Sequence, residues 1–422
     1  MERQGRYWRL AVALLAALTP AISVPDRSTG VTCRKPFVEI LVSPIASKKE
    51  VRMMELSWYV EEGLEPGDWV GLHVGDPDTF RPLFWAYITE PKGWLSTGIQ
   101  ENRTMPEPSF KPNCTPYWAA YWRKNGTKPV AKYCLGTNPR WMENSRDTIK
   151  HLSIDDMFLP GTHDSGSFHL SYGPYKPNRY NKYVYTQDES ILEQLIHGAR
   201  YLDLRISQKK GKWWLNHGVF RIHPFEYILM DIKEFLDNTK EILVLDFHRF
   251  PKGFDDEATH EQFVAYLRKE LWQYAAPGRL TWAATLADIW ATDKRLILAY
   301  NHSPTREKHS DILWRPVTQK WPNVQNIDKL RQYFQDVMTR KPWYPWAAMA
   351  QLTPTVWSVI SDEQGGLRKM AHAVNHEVTS WFRADWGRLS NAVAVDFIRS
   401  TGVVHAAVRW NKRRALNAHC DP

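Results

Sequence analysis

Two different patterns of apolar and polar residues divide the chain. From about residue 33 to residue 141, short runs rich in β-branched and aromatic residues are separated by turns such as LEPGD and GDPD. Runs of this length and composition predict strands. They are FVEILVS, MELSWYV, DWVGLHV, LFWAYIT and PYWAAYWR. Their spacing predicts an antiparallel β-sandwich of about 100 residues.

After residue 146, strand-like runs alternate with amphipathic helical runs. The predicted strands are ARYLDLRIS, KWWLNHG, EILVLDFHRF, RLILAYNH and NAVAVDFIRS, and the predicted helices are HPFEYILMDIKEFLDNT, DEATHEQFVAYLRKELWQYA, IDKLRQYFQDVM and GLRKMAHAVNHEVTSWF. Such alternation favours a parallel sheet. Because no glycine-rich nucleotide-binding loop follows a strand, we predict an α/β fold, a (β/α)8 TIM-type barrel preceded by the small antiparallel β-sandwich.

The N-terminus has the pattern of a secretory signal peptide. Three arginines precede the apolar run LAVALLAAL, and the small residues of TPAIS follow it. The apolar run is too short to cross a hydrocarbon core of about 30 Å, and no later stretch is long enough to predict a transmembrane segment. We therefore predict a secreted, extracellular protein with a signal peptide at 1–23, a β-sandwich-like domain at 24–145 and a catalytic barrel at 146–422.

The cysteines and glycosylation sequons agree with secretion. Four cysteines in an oxidising compartment predict two disulfides, with three possible pairings. We favour a local disulfide between Cys114 and Cys134, which leaves Cys33 to pair with Cys420. We also predict a glycoprotein, since the sequence contains sequons at Asn102, Asn113, Asn125 and Asn301.

Composition narrows the range of partners. The 422 residues are 43% hydrophobic and 24% charged, as in globular proteins. A net charge of +9 favours anionic partners such as phospholipid headgroups. The basic residues are scattered and no nucleic-acid motif is present, so nucleic acid is not a predicted partner. The aromatic segment KPWYPW at 341–346 fits either a loop that touches a membrane at the barrel mouth or a packed loop.

Charged residues follow apolar positions on three predicted strands. Alternation places Asp203 and Arg205 on one face of RYLDLRI, and Asp246 and His248 on one face of ILVLDFHR. Asp396 occupies the corresponding place in AVAVDFI. Burying a charge is costly unless it is paired, so one shared polar site at the carboxyl ends of the strands is the economical interpretation. Taken alone, Asp203 and Arg205 also fit a buried structural ion pair.

Two histidines add proton-transfer chemistry to this set, His163 in FLPGTHDSGSF and His217 in LNHG. A neutral imidazole can remove a proton from an attacking hydroxyl, and a protonated one can supply a proton to a leaving oxygen. A guanidinium stabilises negative charge on phosphoryl oxygens. The combination indicates phosphodiester cleavage. The remaining histidines that we considered have no motif context and are predicted to lie at the surface or to cap helices: His151, His223, His260 and His309.

Five separated motifs resemble one known family. FLPGTHDSGS, GARYLDLRIS, LNHGVF, EILVLDFHRF and VAVDFI occur in the order and approximate spacing of the phosphatidylinositol-specific phospholipase C (PI-PLC) X domain. The chain is most similar to the eukaryotic X-domain-containing proteins that stand alone, and the similarity extends over roughly residues 146–410. The resemblance implies a distorted barrel. It also implies hydrolysis of an inositol phospholipid or glycosylphosphatidylinositol to an inositol cyclic phosphate and diacylglycerol.

The resemblance also implies roles for individual residues. His163 would be the general base that activates the inositol 2-hydroxyl, and Asp396 would hold it in orientation. His217 would be the general acid toward the diacylglycerol oxygen, supported by Asp164. The lipid or glycolipid substrate would be met at a membrane surface.

The phosphate would be bound by Arg205, with Asp203 beside it. Arg205 stands where calcium-dependent relatives place a metal-binding carboxylate, so the resemblance implies catalysis without calcium or another cofactor. Asp246 aligns with a carboxylate that binds metal in those relatives. Asp246, His248 and Asn326 are predicted to contact the substrate, although His248 and Asn326 differ from the bacterial residues.

Three alternatives remain open at the level of sequence. The protein could be a secreted lipid-binding protein that is catalytically weak or inactive. It could be a phosphodiesterase that acts on a non-inositol phospholipid. The N-terminal sandwich could instead carry the biological role, as an adhesion or lipid-docking module.

Overall fold

The computed structural model describes residues 35–46, 52–101, 109–169, 178, 180–340, 342 and 345–418, and these residues belong to one compact unit. The predicted signal peptide, Cys33, Asn102 and Cys420 lie outside the described residues, so the conclusions drawn from them stay predictions. No helix among the described residues is both long enough and apolar enough to cross a membrane.

Two small antiparallel sheets form the N-terminal part. One has the strand order β1-β2-β5 and the other β4-β3-β6-β7. The strands are β1 (Phe37–Ala46), β2 (Arg52–Tyr59), β3 (Trp69–Val74), β4 (Pro82–Tyr87), β5 (Lys92–Gln100), β6 (Cys114–Trp122) and β7 (Ala131–Gly136). Apolar residues of both sheets, such as Val38, Leu56 and Val70, form one buried core. The five predicted strands are confirmed, and β5 and β7 were not predicted.

A disulfide joins the last two of these strands. Cys114 and Cys134 are bonded across β6 and β7, with their Cα atoms 5.5 Å apart, which confirms the predicted local pairing. A covalent link between neighbouring strands restricts the unfolded chain and so stabilises the sheet.

Eight parallel strands follow in chain order and form the barrel. The strands of this part are β8 (Leu159–Thr162), β9 (Tyr201–Lys209), β10 (Lys212–His217), β11 (Phe220–Pro224), β12 (Leu243–Arg249), β13 (Leu296–Tyr300), β14 (Leu313–Trp314), β15 (Thr318–Lys320), β16 (Trp346–Met349) and β17 (Ala392–Val395). Of these, β10 and β11 form an antiparallel hairpin that extends β9. The first barrel strand, β8, pairs with the last, β17. Among the described residues β14 and β15 do not pair, so the barrel has one open seam there.

Helices cover the outside of the barrel. They are α1 (Trp141–Asn144), α2 (Arg146–Ile149), α3 (Ile191–Ile196), α4 (Phe225–Asn238), α5 (Glu257–Leu271), α6 (Leu286–Ala291), α7 (Ser303–Lys308), α8 (Ile327–Arg340), α9 (Val356–Ser361), α10 (Leu367–Arg383), α11 (Trp386–Leu389) and α12 (Val403–Ala415). The four predicted helices correspond to α4, α5, α8 and α10. In α10, Met370, Val374 and Val378 recur every fourth residue and are buried, which explains its packing against the barrel.

The last barrel strand is shorter than predicted. The run NAVAVDFIRS was expected to be extended throughout, but β17 ends at Val395. Phe397 adopts a φ of 51°, in the left-handed region that bulky residues rarely occupy, and a 3₁₀ turn follows at Ile398–Ser400. The chain therefore bends directly after Asp396.

Side chains alternate in and out of the barrel as the pattern predicts. On β12, Leu243, Leu245 and Phe247 pack against the helices. Val244, two residues before Asp246, packs into the barrel interior. Inward positions are thus apolar at the start of this strand and polar at its carboxyl end, where active sites of barrels lie.

Two histidines that were predicted to lie at the surface or to cap helices lie inside the protein. His223 and His260 are buried, so their predicted surface or capping role is wrong. His223 lies against the carbonyl of Phe168, and His260 against the hydroxyl of Tyr300.

In the segment KPWYPW, Trp346 is buried at the start of β16, and Trp343 and Tyr344 lie outside the described residues.

Candidate active site

Local backbone geometry brings the motif FLPGTHDSGSF to the barrel mouth. A Cβ atom at Gly161 would lie 2.7 Å from the ring of Tyr201, so only glycine permits β8 to approach β9 this closely. Asp164 then adopts a φ of 39°, a turn that aspartate tolerates better than most residues. Its N–H donates to Oδ2 of Asp203 at 3.0 Å, which anchors the turn to β9. The Pro-Gly segment thus aims His163 and Asp164 at the barrel axis.

The guanidinium of Arg205 is the centre of the site. Its Nη1 lies 3.2 Å from Oδ2 of Asp164, and its Nη2 donates to Oδ2 of Asp203 at 3.2 Å. Burial opposes the charged form of Asp203, but the attraction of Arg205 and the hydrogen bond from the N–H of Asp164 outweigh it, and the pKa of Asp203 falls below its usual range. Asp203 therefore remains a carboxylate that fixes Arg205.

His163 has the proton arrangement of a general base. Its Nδ1 lies 2.7 Å from Oδ1 of Asp396, and its Nε2 lies 2.8 Å from Nη2 of Arg205. A guanidinium can only donate, so Nε2 must be the acceptor and Nδ1 carries the proton that is donated to Asp396. The lone pair of Nε2 consequently faces the interior of the site.

A second set of contacts holds the base and its carboxylate in place. The side-chain amide of Gln187 donates to the carbonyls of His163 and Val395 at 3.2 and 2.8 Å. The amide of Asn375, on α10, donates to the carbonyl of Asp396 at 2.9 Å. Neither amide was predicted as a site residue, because each acts on backbone atoms and no motif surrounds it.

His217 and Asp164 form a second titrating pair. His217 ends β10, with Nδ1 2.5 Å from the carbonyl of Val184 and Nε2 4.0 Å from Oδ2 of Asp164. Burial, together with the positive charge of Arg205, lowers the pKa of His217 to about 4. Burial raises the pKa of Asp164 to about 7 against the attraction of Arg205. A proton on this pair therefore resides on Asp164 rather than on His217, and it is lost as the pH rises through about 7.

The two histidines face the site from the turn after β8 and from the end of β10. Their ring centroids are 6.2 Å apart and their planes are nearly perpendicular, at 89°. Each presents Nε2 towards the space beside Arg205, since Nδ1 of each is engaged elsewhere. The site therefore offers a proton acceptor and a proton donor around one cation.

A hydrogen-bonded polar layer lies beneath this group. The hydroxyl of Tyr201 donates to Asp246 at 2.6 Å, and the amide of Gln319 donates to Asp203 at 2.9 Å and lies 3.4 Å from Asp246. Nδ1 of His248 lies 3.6 Å from Asp246. Gln319 was not predicted, because its strand β15 has only three residues and gives too little alternation to detect.

The structure brings together the predicted site residues, with one exception. The contacts described above link the other eight predicted residues: His163, Asp164, Asp203, Arg205, His217, Asp246, His248 and Asp396. Asn326 is exposed, and its side-chain oxygen accepts the N–H of Lys329 at 3.1 Å, at the start of α8. Its capping contact accounts for an asparagine at this position. Its contact with substrate stays a prediction.

Comparison with known proteins gives relatives that match about two thirds of the chain. PI-PLC X domain-containing protein 3 of Mus musculus is 27% identical over 302 residues, which cover 64% of this chain and 92% of the relative. PI-PLC X domain-containing protein 1 of Homo sapiens is 24% identical over 311 residues, 67% of this chain and 94% of the relative. The resemblance to the PI-PLC X-domain-containing proteins is confirmed. No protein-family model matches the chain.

Two further similar proteins are named as phospholipases C. The variant-surface-glycoprotein phospholipase C of Trypanosoma brucei brucei is 25% identical over 232 residues, 47% of this chain and 63% of that protein. A crystal structure of a pentafluoro-Phe-substituted phosphatidylinositol-specific phospholipase C from Staphylococcus aureus superposes with a TM-score of 0.50 at 19% identity, covering 64% of this chain and 96% of that one. The structural likeness shows the fold alone. The chain therefore has a barrel of the phospholipase C type.

Proposed function

We propose that the protein is a phosphoric diester hydrolase that cleaves an inositol phospholipid or a glycosylphosphatidylinositol by intramolecular attack. The observation that carries the proposal is the chain Asp396–His163–Arg205, in which an oriented, unprotonated Nε2 lies beside a cation that can hold a phosphate. A structural ion pair would not require an imidazole lone pair to face the cation. The names of the relatives support the choice of substrate class.

The reaction follows from the positions of the donors and acceptors. When a phosphodiester binds, Arg205 exchanges its contact with His163 for a phosphoryl oxygen, which leaves Nε2 of His163 free to take the proton of the inositol 2-hydroxyl. The 2-oxygen attacks phosphorus and forms the cyclic phosphate. The bond from phosphorus to the glycerol oxygen breaks, and that oxygen receives the proton held between Asp164 and His217.

A lipid substrate is also supported by an exposed apolar helix at the same end of the barrel. Helix α9 follows the carboxyl end of β16, and its residues Val356, Trp357 and Ile360 are 78%, 70% and 51% exposed. Asp362, just after α9, accepts hydrogen bonds from Lys182 and Tyr183 in the loop after β8. Aromatic and aliphatic side chains exposed together beside a site suit the interfacial region of a bilayer.

We propose that this reaction needs no metal ion. Arg205 is fixed between Asp164 and Asp203, within 3.2 Å of both. The space between these carboxylates is thus taken by a guanidinium, and the residues present do not fit a shared calcium ion, which needs six to eight oxygen ligands. The cation that stabilises the phosphoryl oxygens would be the side chain itself.

The proposal is tested with vesicles that contain phosphatidylinositol labelled in the inositol ring. Wild type should release inositol cyclic phosphate at the same rate with calcium and with EGTA. His163→Ala should lower the rate by about 10²–10⁴-fold, the usual effect of removing a general base. As a matched control, His151→Ala removes an exposed histidine. Within the described residues, its one hydrogen-bond partner is the carbonyl of Ala415. This variant should keep full activity.

Other outcomes would contradict the proposal in different ways. Undiminished release by His163→Ala would show that His163 is not the base. No release by wild type from phosphatidylinositol or from a glycosylphosphatidylinositol-anchored protein would favour a lipid-binding protein or a different phospholipid. Loss of activity in EGTA that calcium restores would show that a metal is required.

A further inference from the structure

A second cluster of polar side chains lies away from the candidate active site, where the N-terminal sheet packs against the barrel. Glu55 belongs to β2, and His372 and His376 belong to α10. Among the described residues, these three form a group whose potential ligand atoms all lie within 4.8 Å of one another. None of the three contributes to the contacts that orient His163 or Arg205.

The spacing of the two histidines places them on one side of α10. Residues four apart in a helix lie one turn apart on the same face, so both imidazoles can reach one point. Glu55 completes the set from the facing strand, and its side chain is only 2% exposed. Two imidazoles and one carboxylate are a donor set that binds zinc in proteins, with a fourth position left for water.

The two distances from Glu55 to the histidines lie on either side of the spacing expected between two ligands of one zinc ion. Oε1 of Glu55 lies 3.5 Å from Nδ1 of His372, and Oε2 lies 2.9 Å from Nε2 of His376. Two ligand atoms bound at about 2.0–2.1 Å to a tetrahedral zinc ion lie roughly 3.3 Å apart. Oε2 of Glu55 and Nδ1 of His372 are buried atoms that make no hydrogen bond within the described part of the chain. Unsatisfied buried acceptors that converge on one point are costly unless something binds between them.

The surroundings hold both imidazoles in fixed orientations. Trp94 of β5 stacks on His376 at a centroid distance of 3.8 Å and meets the ring of His372 edge-on at 5.4 Å. His376 is buried, whereas the side chain of His372 is 31% exposed, which gives an ion a path from solvent.

We propose that Glu55, His372 and His376 bind one zinc ion or a similar divalent transition-metal ion that tethers β2 to α10. Its role is structural, because the ion links the N-terminal sheet to the barrel and lies outside the phosphodiester site. An ion that binds only the folded chain stabilises it in proportion to the logarithm of its concentration over its dissociation constant. The inference does not depend on the proposed phospholipase activity.

The chain offers a matched control at the same interface. Glu39 of β1 is buried, and Nδ1 of His405 on α12 lies 2.7 Å from its Oε2. The geometry is that of an ordinary hydrogen-bonded pair, and the described contacts bring no second imidazole to Glu39. Replacing His405 therefore removes a Glu–His pair between sheet and barrel without removing a metal ligand.

The test uses the full chain without a polyhistidine tag, stripped with a chelator and then dialysed against Zn²⁺. Bound zinc is measured by mass spectrometry, and Co²⁺ absorption reports the coordination. Wild type and His405→Ala should bind one equivalent. His372→Ala and His376→Ala should bind at least about 100-fold more weakly, since loss of a supporting contact alone costs about 10–100-fold.

Thermal unfolding provides a second readout. Zinc should raise the unfolding midpoint of wild type and of His405→Ala and leave that of His372→Ala unchanged. Because His372 is partly exposed, His372→Ala should fold even if His376→Ala does not. Far-UV circular dichroism without metal will check this. The proposal is overturned if wild type binds no more zinc than His372→Ala, or if His405→Ala loses binding to the same extent.

Discussion

The geometry around His163 separates the roles of the polar residues at the mouth of the barrel. Asp396 receives the proton of Nδ1, and Arg205 faces Nε2, so the imidazole is held in one tautomer by two oppositely charged partners. A carboxylate at Asp396 can accept from Nδ1, whereas an amide there can donate to it and reverse the tautomer. Whether residue 396 carries a carboxylate or an amide therefore decides whether Nε2 of His163 can accept a proton.

Asp396→Asn tests this directly. The variant should retain binding of phosphatidylinositol vesicles but lower kcat by about 10²–10⁴-fold, because Nε2 would more often carry the proton that it must accept. Vesicle sedimentation and single-turnover cleavage measure the two effects. An equal loss of binding and turnover would indicate that Asp396 supports the fold rather than the base.

The pKa values of Asp164 and His217 predict the pH dependence. In the proposed reaction, the proton donated to the leaving oxygen is stored mainly on Asp164, whose pKa is raised to about 7, while that of His217 is lowered to about 4. The protonated pair is the active form. kcat/KM should therefore fall as the pH rises through about 7, as measured by cleavage rates between pH 5 and 9.

Asp164→Asn provides the comparison for this pH profile. The amide cannot lose a proton in this range, so the variant should show a lower rate whose decline near pH 7 has disappeared. A variant that keeps the same alkaline decline as wild type would assign that decline to another group, since Asp164 would then not hold the transferred proton.

A site residue can be predicted from the sequence when the strand or helix that contains it is long enough to show a regular pattern. Asp203 and Arg205 interrupt a nine-residue strand, so alternation shows that they face inward. Gln319 occupies a three-residue strand, and Gln187 lies in a loop and hydrogen-bonds to backbone carbonyls. Their roles depend on which carbonyls and carboxylates the fold brings to them, and that information is absent from a local pattern.

At the level of elements, a buried ionic network joins β2 to the barrel. Nη1 and Nη2 of Arg52 lie 2.8 Å from Asp188 and 3.0 Å from Glu189. Arg368 also binds Asp188, and Arg399 binds Glu101. Burial raises the pKa of Glu189, against the attraction of Arg52, so a carboxylate at this place depends on its cation to remain charged.

Arg52→Met should lower the free energy of unfolding by about 3–5 kcal/mol, because it leaves buried carboxylates without one of their cations. Arg81→Met, at an exposed position after β3, is the control and should change it by less than about 0.5 kcal/mol. Urea titrations followed by circular dichroism give both values. If the Arg52 variant is as stable as the control, the remaining arginines compensate for the loss.

Element prediction succeeded where the pattern was long and apolar and failed where it was interrupted. Helices α4 and α10 have buried faces that repeat over fourteen and seventeen residues. Strand β5, KGWLSTGIQ, contains two glycines and alternates mostly between exposed and half-buried positions, so no apolar run marks it. The open seam between β14 and β15 also escapes prediction, because hydrogen-bond pairing depends on the whole ring.

At the level of the molecule, the sheets and the barrel share one interface. Beside the Arg52 network, β1 packs against α10, and Glu39 and Glu55 are each buried against a histidine of a barrel helix. Residues that meet there are far apart in sequence, so local patterns could not predict the interface. Buried charges on both sides mean that neither part is complete alone.

We therefore expect one cooperative unfolding transition for the part of the chain that the structure describes. Tryptophan fluorescence, to which residues of both parts contribute, and far-UV circular dichroism should give the same midpoint and slope in urea. Two separated transitions would show instead that the N-terminal sheets and the barrel unfold independently, as the predicted boundary near residue 145 would allow.

The pairing of the first barrel strand with the last has a consequence for biosynthesis. The contact between His163 and Asp396 spans 233 residues of sequence. During translation, a nascent chain that has emerged as far as β16 already carries His163, Arg205 and His217 but lacks the carboxylate that orients the base. In the proposed reaction, the base is therefore not oriented until the last barrel strand has been made, and a premature stop codon before Asp396 yields a product that lacks the orienting carboxylate.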